Sequence, residues 1–209
     1  MSVRTLEPKT LWNAFADLNS VPRPSKKEEK VRQFMITFGK KLGLETLVDD
    51  IGNVIIKKPA SPGMESRTTV ILQSHLDMVH QKNETTRFDF ENEGIKMKVE
   101  GDWVLAEGTT LGADNGIGVA AIMALLEAQD LTHPPLEAFF TIDEETGMTG
   151  AKHMNGKLLD GKILLNLDTE DDDELSIGCA GGIDTNTTYT YQETTITEGW
   201  EVLKIKLRG

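Results

Sequence analysis

Residues 69–77 read TVILQSHLD, and this stretch decides the fold. A short apolar run of buried-strand type, residues 69–73, is followed at once by polar residues that include a histidine and an aspartate. Residues 136–145 (LEAFFTIDEE) repeat this arrangement, and residues 163–168 (ILLNLD) give a shorter version of it. Continuous apolar runs of this kind are typical of strands buried on both faces of a parallel sheet.

Segments with helical periodicity lie before and between these strands. Residues 7–19 carry apolar side chains at helical spacing, and residues 117–128 predict a strongly apolar helix. Ser25 followed by Glu28 predicts a capping box for a further helix that ends near Leu42. The remaining predicted elements are strands at 44–49 and 54–57, a hairpin at 95–107 and a short helix near 150–159. Strands that alternate with helices predict an α/β fold, in which a largely parallel mixed sheet is flanked by helices.

The composition of the chain changes near residue 180, where the sequence GCAGG at 178–182 is typical of a hinge. Beyond it, the Thr-rich segments 185–197 and 200–207 alternate as half-exposed antiparallel strands do. We therefore expect residues 1–180 to be the amino-terminal part of one α/β domain and residues 181–209 to begin a second, β-containing domain. So short a segment does not form an independent domain, and we expect the chain to stop inside the second domain.

Charge and composition argue against several classes of partner. The chain has 22 basic and 34 acidic residues, a net charge of −12, whereas nucleic acids and anionic membranes require a basic surface. No apolar run is long enough to span a bilayer, and the first residues lack the apolar core of a signal peptide. The single cysteine, Cys179, has no partner for an internal disulfide. These features predict a cytoplasmic protein without nucleic acid or membrane partners.

Four short motifs put metal-type ligands just beyond a strand or in a glycine-rich loop before a helix. Open α/β sheets bind ligands at such positions. The motifs are His75-Leu76-Asp77, the loop 112–118 with Asp114, Asp143-Glu144-Glu145 and Asn166-Leu167-Asp168. Taken singly, each has an ordinary alternative, which is respectively a surface hydrogen bond, a helix cap or phosphate-binding turn, a solvated acidic turn and a solvated loop.

Taken together, the four motifs predict a metal centre at one edge of the sheet. The ligand-type side chains are His75, Asp114, Glu145 and Asp168. One histidine with three carboxylates suits Zn²⁺, Mn²⁺ or Co²⁺ better than the all-oxygen sites of Mg²⁺. Two ions about 3.5–4 Å apart activate a water and polarise a carbonyl together. Glu144 is then the general base, and Asp77 accepts the second imidazole N–H of His75 and fixes its tautomer.

In these motifs the sequence resembles the two-zinc metallopeptidase family that includes aminoacylases, carboxypeptidase G and the cytosolic dipeptidases. The similarity covers essentially the whole chain and is most specific in five segments. They are HLDMV (75–79), QKN (81–83), GTTLGADNGIG (108–118), EETGM (144–148) and GCAGGID (178–184). The resemblance implies a zinc-peptidase catalytic domain that is followed by the start of a lid domain.

The resemblance also implies a role for each site residue. The implied zinc ligands are His75 and Asp168 on one ion, Glu145 on the other, and Asp114 between them. Asp77 is implied to orient His75, and Glu144 to be the catalytic base. A cis peptide bond is implied after Asp114. Aspartate at position 168 is typical of family members that act on free amino ends, so the implied substrates are dipeptides with a free amino end, including Xaa-His.

One implied ligand has no counterpart in this sequence. The family's second zinc needs a histidine near the end of the complete chain, and His80, His133 and His153 do not match it. The lid domain is implied to mediate a homodimer of the complete enzyme. We therefore expect this chain alone to be nearly inactive. Two alternatives stay open: a related amide hydrolase such as an N-acyl amino acid deacetylase, and a catalytically incompetent scaffold.

Overall fold

The structure is a computed structural model that describes residues 2–169, 174–178, 181, 183, 185–195, 197–201 and 203–205. The chain divides into two units, Met1–Asp172 and Asp173–Gly209. The expected assignment of 1–180 and 181–209 to a catalytic and a lid domain stays a prediction.

A five-stranded mixed sheet forms the centre of the first unit. The strands along the chain are β1 (Glu45–Val48), β2 (Val54–Lys58), β3 (Val70–His75), β4 (Met97–Glu100), β5 (Trp103–Ala106), β6 (Leu136–Thr141) and β7 (Ile163–Asn166). In space the sheet runs β1-β2-β6-β3-β7, while β4 and β5 form a separate antiparallel hairpin. β1 and β2 pair antiparallel, as do β2 and β6, whereas β6, β3 and β7 are parallel. The predicted fold class is confirmed, with parallel pairing confined to these last three strands.

The helices cover the sheet with apolar faces that the sequence spacing predicted. They are α1 (Lys9–Asn19), α2 (Glu29–Lys41), α3 (Ala113–Glu127), α4 (Glu144–Gly147) and α5 (Thr149–Lys152), with 3-10 turns at Val3–Thr5 and Gly156–Leu158. α1 packs on α3, α3 packs on β3, and α2 packs on β1 and β2. Phe15, Val31, Met35, Ile122 and Phe140 are among the buried side chains of the core. No helix of the described residues combines the length and the apolar character that crossing a bilayer requires.

β7 is an edge strand of the sheet. It pairs with β3 on one side, and the structure has no strand on its other side among the described residues. Its apolar side chains are about half exposed, at 46% for Ile163, 52% for Leu164 and 48% for Leu165. The sequence pattern is typical of a strand buried on both faces, but β7 is buried only in part.

The predicted capping box at the start of α2 is wrong. The N-cap residue is Glu28, and no side chain caps the helix there. Lys26 has a left-handed backbone conformation (φ 67°), which delays the start of the helix. Pro24 forms a β-bridge with Met78, and the hydroxyl of Ser25 donates to the carboxylate of Asp77 instead of to the helix.

The described residues of the second unit contain neither helix nor strand. Strands were expected at 185–197 and 200–207, and residues 196, 202, 206 and 207 of these segments lie outside the described residues. The large apolar side chains described there are at least 70% exposed. An alternating segment becomes a stable strand only when a neighbouring strand takes up its hydrogen bonds and its apolar face is covered. The described residues of this unit provide neither.

Candidate metal centre

Polar side chains gather at the carboxyl ends of the three parallel strands. His75 is the last residue of β3, Asp168 follows β7 by two residues, and Glu144 begins α4 shortly after β6. β7 ends beside Gln73, two residues before the end of β3, because Asn166 pairs with Gln73. The structure thus has these residues at one edge of the sheet, as the strand pattern predicted.

His75 is buried at the centre of this edge. Its Nε2 lies 2.9 Å from Asp114 Oδ1 and 3.7 Å from Asp168 Oδ2. Its Nδ1 lies 3.1 Å from the backbone oxygen of Asp77 and 3.3 Å from Asp77 Oδ1. Burial by itself lowers the pKa of the imidazole, but Asp77, Asp168 and Asp114 outweigh it and raise the pKa to about 9. One ring nitrogen is therefore held by Asp77, and the other faces two ligand-type carboxylates.

Asp77 is fully buried and links the end of β3 to the start of α4. Its Oδ1 accepts the backbone N–H of Glu144 at 3.0 Å, and its Oδ2 lies 3.3 Å from the backbone nitrogen of Glu145. The hydroxyl of Ser25 donates to Oδ2 at 2.8 Å. Burial raises the pKa of Asp77, but the hydrogen bonds from His75, Glu144 and Ser25 lower it below its ordinary value. The ionised Asp77 thus contacts both His75 and the first turn of α4.

The loop before α3 carries Asp114 to His75. The backbone is non-helical at Asp114 and Asn115, and the peptide bond between them is cis, as the resemblance implied. The side-chain amide of Asn115 donates to the backbone oxygen of Leu167 and to Asp168 Oδ1, both at 3.0 Å. This short loop therefore supplies one ligand-type carboxylate and holds another in place.

The two glutamates after β6 have raised pKa values. Glu144 Oε2 lies 4.0 Å from His75 Nε2. Burial and repulsion by Asp168, Asp77 and Asp114 raise the pKa of Glu144, and the charge of His75 only partly offsets them. Burial and the charge of Asp114 raise the pKa of Glu145. A carboxyl group with a raised pKa beside a metal-type site is suited to accept and return a proton.

The donor atoms of the centre fit a transition-metal ion. One ligand atom each from His75, Asp114 and Asp168 can be chosen so that all lie within 4.8 Å of one another. Tetrahedral zinc, with bonds of about 2.0–2.1 Å, places its ligand atoms about 3.3 Å apart. The distances of 2.9 and 3.7 Å from His75 Nε2 to the two carboxylates lie on either side of that value. Glu145 does not belong to this group of described residues.

A second group of acidic residues is held by hydrogen bonds within the protein. Glu28, Asp77 and Asp143 are all buried and bring carboxylate oxygens within 4.8 Å of one another. Glu28 Oε1 accepts the backbone N–H of Asp143 at 3.1 Å. The carboxylate of Asp143 accepts the hydroxyls of Thr146 and Thr149. These donors account for the group as structural support of the loop that begins α4.

Sequence reasoning missed two residues that contact this edge. Arg23 is buried and donates to the backbone oxygens of Leu76 and Asp77, and Ser25 donates to the Asp77 carboxylate. Arg23 lies between two prolines, where no periodicity assigns a face. Ser25 had a signal, its spacing from Glu28, but that signal pointed to a helix cap.

The three histidines that match no implied ligand have other contacts. His80 packs edge-on against the ring of Phe90, and His133 and His153 bond to carbonyl oxygens of nearby residues. None of the three belongs to either acidic group of the described residues. Cys179 lies outside the described residues, as do residues 170–173 of the acidic run.

Comparisons with known proteins find a matching family model and several relatives. The family model described as peptidase family M20/M25/M40 matches residues 71–198. The chain is 44% identical over 204 residues to the cytosol non-specific dipeptidase of Escherichia coli strain K12. The aligned region covers 98% of this chain and 42% of that protein.

Solved structures give the same picture. Aminoacylhistidine dipeptidase from Vibrio alginolyticus superposes with a TM-score of 0.81 at 48% identity, over 82% of this chain and 35% of that one. Aminopeptidase PepT from Bacillus cereus ATCC 10987 gives a TM-score of 0.66 at 26% identity, over 78% and 44% of the two chains. The chain thus spans less than half the length of each of these relatives.

Proposed function

Because this chain belongs to peptidase family M20/M25/M40, we propose that the chain carries the metal centre of a dipeptidase. The proposed reaction is the hydrolysis of dipeptides with a free amino end, including Xaa-His. The convergence of His75, Asp114 and Asp168 beside Glu144 carries this proposal. The names of the Escherichia coli and Vibrio relatives support the substrate class.

The proposed cofactor is zinc, with Mn²⁺ or Co²⁺ as alternatives for the same donors. His75 Nε2, Asp114 and Asp168 would hold one ion, and Glu145 would share a second with Asp114. Bound zinc supplies a water of lowered pKa and polarises the carbonyl of the scissile bond.

The side chains of this chain would then move the proton and hold the ligands. Glu144 takes a proton from the attacking water and returns it to the leaving amine. The raised pKa of Glu144 suits it to this transfer. Asp77 holds the Nδ1 side of His75, which would leave Nε2 available to hold the metal. Asn115 keeps Asp168 turned toward the centre. In the family that the sequence resembles, aspartate at position 168 supports substrates with a free amino end.

The wider organisation is proposed on the same basis. Residues 1–180 would belong to the catalytic domain, and residues 181–209 to a lid domain through which the enzyme forms a homodimer. The name of the Escherichia coli relative supports a cytoplasmic location.

Activity and metal content together test this function. Protein expressed from the natural gene and loaded with zinc is expected to hydrolyse Xaa-His and other dipeptides and to leave their N-acetyl forms intact. The variant His75→Ala is expected to lose zinc and activity, and the matched control His153→Ala, at an exposed histidine, to keep both.

Two outcomes would contradict the proposal. Cleavage of N-acyl amino acids alone would indicate the deacetylase alternative. Stoichiometric zinc without hydrolysis of either substrate class would indicate a binding module.

A further inference from the structure

Arg23 joins two of the loops that carry the ligand-type residues. Its Nη1 donates to the backbone oxygens of Leu76 at 3.1 Å and Asp77 at 3.2 Å, immediately after β3. Its Nη2 donates to the backbone oxygen of Gly112, two residues before Asp114. One planar guanidinium therefore spans the distance between the loop after β3 and the loop before α3.

Arg23 is a buried cation, and its surroundings favour a role in holding loops at a fixed separation. The residue is 1% exposed, and burial lowers its pKa to about 10 although Asp77, Asp114 and Glu145 act to raise it. Burying a cation is unfavourable unless hydrogen bonds and opposite charges offset the loss of water. A further bond from Nη2 to Asn19 Oδ1, at 3.0 Å, adds to that compensation. A lysine would keep the charge but could not make these forked contacts.

Ser25 contacts the same centre through the carboxylate of Asp77. Its hydroxyl donates to Asp77 Oδ2 at 2.8 Å, on the carboxylate whose other oxygen lies 3.3 Å from His75 Nδ1. The backbone N–H of Ser25 donates separately to the backbone oxygen of Met78 at 3.3 Å. Removing the hydroxyl therefore leaves a backbone contact that keeps this segment against the loop.

Resting on the proposed function, we propose that Arg23 and Ser25 are positioning residues of the metal centre. Arg23 sets the separation of the loops that carry His75 and Asp114, and Ser25 fixes the Asp77 carboxylate that orients His75. Both act through other residues and are not ligands themselves. Outer partners of this kind typically contribute 10–100-fold to metal affinity in proteins.

The test is the zinc affinity of the 209-residue chain, measured by competition with a chromophoric chelator. Ser25→Ala and Arg23→Lys are each expected to weaken zinc binding by about 10–100-fold. The matched control is Ser20→Ala, because the Ser20 hydroxyl donates to the backbone oxygen of Asp17 on the surface. This control is expected to bind zinc as the wild type does.

A spectroscopic measurement separates positioning from a general loss of stability. Each variant is first shown to be folded by circular dichroism in the presence of a chelator. The visible absorption of bound Co²⁺ then reports the coordination geometry, and we expect it to change in Ser25→Ala and Arg23→Lys but not in Ser20→Ala. If Arg23→Lys fails to fold, Ser25→Ala decides alone.

The outcomes are distinguishable. Wild-type zinc affinity and an unchanged Co²⁺ spectrum in folded Ser25→Ala and Arg23→Lys would overturn the positioning role and leave the proposed function standing. A wild-type chain that binds no zinc would overturn the proposed function and this inference with it.

Discussion

Glu144 and Glu145 are neighbours in sequence but have different surroundings. The carboxylate of Glu144 lies 4.0 Å from His75 Nε2, and the charges that act on it include Asp168. The pKa of Glu145 is raised mainly by burial and by the charge of Asp114. This difference supports the proposed division of work, in which one residue carries protons and the other holds metal.

Replacing Glu144 tests that division. In the complete enzyme, Glu144→Gln is expected to lower the kcat of dipeptide hydrolysis by at least about 100-fold, because an amide cannot take the proton from water. Zinc content is expected to stay at the wild-type level. Steady-state kinetics and elemental analysis of the same preparation measure both, with Glu145→Gln as the comparison that is expected to lose zinc. Loss of zinc from Glu144→Gln would show that its role is wrongly assigned.

At this scale the gathering of His75, Asp114 and Asp168 at one sheet edge was predictable, whereas the residues that contact them from other segments were not. His75, Glu144 and Asp168 follow apolar strands closely, and such positions carry a recognisable pattern. Arg23 contributes through bonds to backbone oxygens, which every residue possesses, so its partners leave no trace in the sequence. Only the folded chain brings residue 23 beside residues 76 and 77.

At the scale of the element, α3 approaches the ends of the parallel strands very closely. A Cβ atom at Gly118 would lie 2.6 Å from Ser74 Oγ and 3.0 Å from the backbone oxygen of Leu167, and closer still to Asn115 Oδ1. The apolar helix can therefore begin next to the metal centre only because this position has no side chain.

Gly118→Ala is expected to destabilise the protein by about 1–3 kcal/mol through overcrowding, although alanine favours a helix over glycine by about 1 kcal/mol. Zinc affinity is expected to fall as well, because Asn115, which holds Asp168, must move. Urea unfolding and zinc titration measure the two effects. Gly156→Ala is the control, since a Cβ there meets nothing closer than 4.0 Å. A gain in stability for Gly118→Ala would contradict this expectation.

The elements themselves were largely predictable, but their order and some of their ends were not. Apolar runs identified β3, β6 and β7, whereas the order β1-β2-β6-β3-β7 depends on which strands meet in space. The single short helix predicted near 150–159 is instead α5 and a 3-10 turn, and α4, which precedes α5, was not predicted. A left-handed backbone at Met148 (φ 55°) separates the two helices, and no propensity predicts that conformation for methionine.

At the scale of the whole molecule, the two units differ in how they use apolar side chains. The first unit has a core of apolar residues buried between helices and sheet. In the second, the described Tyr189, Tyr191 and Trp200 are 81%, 70% and 74% exposed, in backbone without helix or strand.

Limited proteolysis measures this difference. Chymotrypsin is expected to cleave first at Tyr189, Tyr191 or Trp200, because exposed backbone outside regular structure fits a protease most readily. Mass spectrometry of early time points identifies the sites, and chain unfolded in urea serves as the control in which aromatic sites throughout the chain are cut. A first cut within residues 2–169 would contradict the expected order.

The outermost strand of the sheet has a special relation to the proposed zinc. β7 is paired to β3, and Asp168 follows it by two residues and faces His75 at the end of β3. An ion bound by both residues would cross-link β3 to the segment that follows the edge strand. Fraying of β7 would release Asp168 from the ion, and a bound ion would keep β7 paired with β3. By the reciprocity of linked equilibria, metal retention and the cohesion of the sheet margin would rise and fall together.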